Sequence, residues 1–299
     1  MSIKIIYSED EIHEIPINIR YLYIRYIPEN NVLPDLSKFV ELHFLECEQC
    51  HLTSLENLPS SLQQLHCSNN QLTSLEHLPA NLHELDCRNN NIVTLQIPDA
   101  LRILYCQGNQ IDVLTIPPLV EKVMCENNKI TQIHFIGEEE NPTLHELNCD
   151  TNELTTLDNL PKNLKILSCA NNKLTYLQLP PHILELSCSN NNLGSLEVPE
   201  TLRFLQCFDN NELTSIGKLP NTLQSLQCYN TPIYDEIYGE YNLKLDFMPI
   251  AKYNKIYDKM HPFGIGLKGG MRREKQRKRK RTQRKRTQRK RTQRKRTQK

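Results

Sequence analysis

The chain of 299 residues carries 36 Lys and Arg against 35 Asp and Glu, and its net charge of +1 conceals two opposite parts. Residues 271–299 hold 18 of the basic residues and only Glu274 as an acid (+17), whereas the preceding 270 residues carry 18 basic and 34 acidic groups (−16). No apolar run approaches the roughly 18 residues that span a bilayer, the opening "MSIKIIYSEDEIHEIP" lacks the apolar core of a secretory signal, and "RTQK" offers no prenylation cysteine.

These features point to a protein of a reducing intracellular compartment, not secreted and not membrane-bound. Residues 1–15 are expected to form an N-terminal cap. From residue 16 a repeat takes over. Leaving Cys50 aside, cysteines stand at 47, 67, 87, 106, 125, 149, 169, 188, 207 and 228, at steps of 20, 20, 19, 19, 24, 20, 19, 19 and 21 residues. Two residues before each stands Leu or Val (Leu45, Leu65, Val123, Leu226), and five before stands another aliphatic (Leu42, Leu62, Val120, Leu223). Three after stands Asn in eight of the ten, from Asn70 to Asn210, and five after comes Leu or Ile, slipping by one only at Leu213. Ile19, Leu22 and Ile24 form an earlier copy, giving about 11 rungs over residues 16–235.

Periods near 20 residues are the mark of a solenoid. The unit L-x-x-L-x-C-x-x-N-x-L resembles the leucine-rich repeat. That resemblance implies a curved parallel β-sheet on the concave face. In x-L-x-C-x the side chains alternate, so Leu65 and Cys67 point inward while Gln64, His66 and Ser68 point outward. The Asn amide, with two donors and an acceptor, suits the backbone at the turn between rungs. Pro16, Pro59, Pro79, Pro98 and their equivalents, eight residues before the cysteine position, oppose an α-helix on the return limb. An extended or polyproline-like convex side is expected. "HFIGEEENPTL" lengthens one return limb and should bulge from the convex side or an edge of the arc.

Cys47, Cys50 and His51 spell C-x-x-C-H, the pattern that attaches haem. The repeat accounts for all three: Cys47 belongs to the cysteine column, Cys50 to the asparagine column and His51 to a variable position. Zinc needs thiolates converging from different directions, whereas single cysteines on parallel strands point alike. Neither cofactor nor metal is expected, and the cysteines read as small buried hydrophobes.

The concave positions carry the candidate partner-binding residues. Phe204, Phe208 and Tyr229 should lie close together at the C-terminal end, with Tyr105 nearer the middle. Acid gathers there too, in Glu84, Asp86, Glu146 and Asp150 among others, and would attract a basic peptide. No nucleophile–base pair or phosphate loop stands outside the repeat, so an enzyme is not expected.

Residues 236–270 are aromatic-rich and read as a C-terminal cap. Residues 271–299 repeat "RKRTQ" four times between Arg279 and Gln298, a composition that cannot fold alone. Arg277, Lys278, Arg279, Arg284, Lys285, Arg286, Arg289, Lys290 and Arg291 are candidates for nucleic-acid attachment or nuclear targeting. Neutralising phosphates would release counterions without reading sequence. The array resembles leucine-rich domains of bacterial effectors and leucine-rich proteins of giant DNA viruses. The catalytic domain of effector ubiquitin ligases is not carried over, because no cysteine follows Cys228. The expectation is a monomeric, non-enzymatic scaffold binding an unidentified protein on its concave face. The alternative is a nucleic-acid-associated or nuclear-targeted protein held by residues 272–299; a third is that the tail covers the acidic face.

Overall fold

A computed structural model describes residues 2–137 and 143–234. Within them one parallel sheet of 12 strands runs through the array. It begins with β1 (Ile3–Ile6), β2 (Tyr21–Ile24), β3 (Phe44–Glu46) and β4 (Gln64–His66) and then adds one short strand per rung. Those strands are Glu84–Asp86, Ile103–Tyr105, Lys122–Met124, Glu146–Asn148, Ile166–Ser168, Glu185–Ser187, Phe204–Gln206 and Ser225–Gln227. Register is set by the repeat itself: Leu45 lies opposite Leu65, Leu65 opposite Leu85, and Leu186 opposite Leu205.

The alternation predicted for the rungs is what most strands show, although the outward Ser68 and Asp86 are themselves buried and the inward Leu226 is only part-buried. Leu65 and Cys67 are fully buried while Gln64 and His66 are half-exposed, and Leu104, Cys106, Leu205 and Cys207 repeat the pattern. The aliphatics five residues before and after each cysteine, such as Leu62 and Leu72, close the same interior. Each such side chain contributes about 1.5–3 kcal/mol on burial, but a single rung has no second layer, so the core exists only as a stack.

Two asparagine-rich columns turn the chain out of each strand. At the residue two past the cysteine the backbone is left-handed in all ten cysteine rungs. Asn69, Asn89, Asn127, Asn171, Asn190 and Asn230 stand there, with Gly108, Asp209, Gln49 and Thr151 at the others. Asn, Asp and Gly tolerate this region best, which explains why the rungs read N-N and not simply x-N. The next residue then folds its side chain inward. Asn70 Nδ2 donates to the carbonyls of Cys47 (2.8 Å) and Cys67 (3.0 Å), and its Oδ1 accepts from Leu52 N–H at 3.0 Å. Asn90, Asn109, Asn152, Asn172, Asn191 and Asn210 do the same one rung on.

The prolines act as turn openers. Pro59 C=O accepts from Leu62 N–H at 3.1 Å, and Pro79, Pro98 and Pro161 repeat the turn at 3.0 Å. Phe39, fully buried, takes the proline's place before Leu42. The convex side is mostly extended, and two pairs of parallel strands form there, Ser74–Leu75 with Thr94–Leu95 and Val113–Ile116 with Gln132–Phe135. The lengthened limb thus starts as a convex strand, and its residues 138–142 lie outside the described set. Residues 2–15, expected only as a cap, hold β1, which extends the sheet, and a short 3-10 helix, Asp10–Glu14, whose Ile12 is buried.

Candidate protein-interaction face

The concave face is built from the outward residues of every strand. At its C-terminal end Phe208 and Tyr229 stack with ring centroids 4.4 Å apart and planes 11° from parallel. Phe204 is exposed at the start of the strand that ends at Gln206, four residues and roughly 13 Å before Phe208. The expected trio is therefore a stacked pair and a separate ring. At the N-terminal end Phe44 packs against Tyr21 (6.1 Å), Tyr23 (5.2 Å) and His66 (5.0 Å, edge-on). Three successive rungs bring these residues together on the face. Arg25 lies 5.5 Å over the Tyr23 ring and Arg88 lies 5.6 Å over Tyr105.

The acidic stripe is largely engaged within the protein. Asp86 is buried and pairs with Arg88, Glu146 pairs with Lys122 at 3.0 Å, and Glu46 pairs with Arg25. Glu84 accepts from Gln64 Nε2 at 3.0 Å and lies 3.4 Å from His66 Nε2. Asp150 accepts from Ser168 Oγ at 2.8 Å and from Ala170 N–H at 2.6 Å. Burial nevertheless pushes the Asp150 carboxyl up, against those hydrogen bonds. Glu126 is pushed up by burial first, opposed by its own N–H and Gln107, with neighbouring Asp150 adding to the rise. The stripe is a set of local pairs more than a free anionic field. Arg277 to Arg291, the tail candidates, lie outside the described residues.

The cysteine column is chemically quiet. All eleven cysteines are free thiols and buried. Desolvation raises the thiol pKa throughout the column, to about 12 at Cys228, so thiolates are suppressed. Cys50 takes the asparagine's position and donates its thiol to Glu48 C=O and Ile24 C=O, a weaker copy of the amide bridge. Among the described residues no three His, Cys, Asp or Glu side chains converge on a metal position.

No protein-family model and no curated protein matches the chain. Solved structures do. The chain aligns with YopM from Yersinia enterocolitica WA-314 at 27% identity and a TM-score of 0.57, over 72% of this chain and 51% of that one. It aligns with the functional domain of InlJ from Listeria monocytogenes, described as including a cysteine ladder, at 26% identity and a TM-score of 0.59. That match covers 72% of this chain and 49% of the Listeria chain. The fold is the leucine-rich-repeat solenoid. The leucine-rich repeat domain of APL1B shares the same fold at 19% identity, with a TM-score of 0.61 over 76% of this chain and 79% of that one. The chain spans about half the length of the Yersinia and Listeria structures. Leucine-rich-repeat folds generally mediate protein–protein interaction, and among the described residues no helix is long and apolar enough to cross a membrane.

Proposed function

We propose that this leucine-rich-repeat solenoid is a non-catalytic scaffold that binds one protein partner across its concave face. The observation that carries the reading is the clustering of aromatic groups at both ends of the face. Phe208 and Tyr229 stand at one end and Tyr21, Tyr23 and Phe44 at the other, eight strand spacings or roughly 40 Å apart. Aromatic side chains supply large contact area for little rotamer entropy and dominate binding hot spots. The eleven free thiols support a reducing intracellular location for this activity.

The test is capture of partners by the full chain after crosslinking in a native extract, compared with a Phe204→Ala/Phe208→Ala variant. A discrete partner seen with the parent chain and reduced at least tenfold with the variant supports the proposal. Equal recovery on both contradicts it. A second reading rests on the 18 basic residues of 271–299, which would retain nucleic acid. It predicts that ending the chain at residue 270, or adding nuclease, abolishes retention while the concave variant leaves it intact.

A further inference from the structure

β1 is the outermost strand of the sheet at the N-terminal end, and among the described residues its bonding pattern leaves one edge open. Ser2 C=O accepts from Tyr21 N–H at 3.2 Å and Ile6 C=O from Arg25 N–H at 2.9 Å. In a parallel ladder alternate residues bond to the same neighbour, so residues 2, 4 and 6 face β2 while the N–H and C=O of Ile3 and Ile5 face away. Tyr7 N–H, next in that series, is already held by the Glu11 carboxylate at 2.9 Å. The side chains on this strand add a second observation. Ile3, Ile5 and Tyr7 are 55%, 44% and 68% exposed, a row of large apolar groups beside the Tyr21 and Tyr23 positions of β2.

We infer that this edge is an interface between two copies of the chain, with β1 pairing antiparallel to β1 of a second copy about a two-fold axis. Self-complementarity argues for this occupant. The free groups are one N–H and one C=O on each of two alternate residues. Antiparallel pairing of Ile3 with Ile5 of the partner subunit, and the reverse, satisfies all of them with four hydrogen bonds. The same register lays the two apolar rows side by side. Lys4 meets its symmetry mate across the axis, and Glu11, 4.0 Å from Lys4 Nζ, offsets that repulsion. A four-residue strand buries too little for an obligate dimer, so association is weak and reversible.

Sedimentation equilibrium of the full chain in reductant reads this out. The weight-average mass should rise with concentration from 35.0 kDa toward twice that value. Ile5→Pro removes a donor from the open edge alone, leaving the bonds to β2 intact, and should hold the chain at the monomer mass, as should Ile3→Lys. Val40→Lys, at a 68% exposed apolar position away from β1, should associate like the parent. A parent chain that stays monomeric at all concentrations overturns the inference. So does association that survives both β1 substitutions, or that proceeds beyond the dimer.

Discussion

Asn90 ties its own rung to the preceding one through a single amide. Its Nδ2 lies 3.1 Å from Cys67 C=O and 3.0 Å from Cys87 C=O, and its Oδ1 lies 3.0 Å from Leu72 N–H. The residue is buried, so water cannot replace what a truncation removes. Asn90→Ala should therefore cost about 1–3 kcal/mol, because the buried Leu72 N–H loses its amide acceptor while the carbonyls of Cys67 and Cys87 each keep one donor, from Asn70 and Asn109. Urea denaturation would show this as a lower midpoint with an unchanged slope. Asn89, one residue earlier, is exposed and serves by its left-handed backbone, φ 53°. Asn89→Gly should be close to neutral, since glycine occupies the equivalent Gly108. Two adjacent asparagines with different duties look alike in sequence; only the backbone angles separate them.

The element that repeats is a strand with one thiol and two aliphatics directed inward, and the thiols give it a pH signature. Burial raises the thiol pKa at every column position from Cys47 to Cys228. A group whose folded pKa lies above its unfolded value of about 8.5 stabilises the fold below that pH. The contribution is lost as pH rises toward the folded value, at about 1.4 kcal/mol per pH unit for each thiol. Ten thiols raised in the same direction act together, so stability should fall progressively as pH rises above about 8.5. Circular dichroism of urea melts in reductant should show the midpoint falling steeply above pH 9. A midpoint constant from pH 8 to 10 would mean that the thiols are not buried in the neutral form. The array was legible in sequence because every rung repeats the same demand, Leu over Leu and Cys over Cys. β1 was not, since "IKII" is one strand without the rung's cysteine or asparagine. Nor were the pairings of Asp86 with Arg88 or Phe44 with Tyr23, which depend on side-chain rotamers at positions that vary from rung to rung.

At the scale of the whole molecule, the twelve-stranded sheet presents one continuous face over one continuous interior. The concave face inherits its geometry from that interior: Phe208 and Tyr229 stack because Cys207 and Cys228 fix their strands one spacing apart. The pulse-labelling of thiols in the native, reduced protein with a maleimide, read by mass spectrometry, tests this most directly. The ten column cysteines should stay unmodified over a time in which the urea-unfolded chain takes up all eleven labels. Rapid modification of the column under native conditions would show that those strands do not enclose a shared dry core.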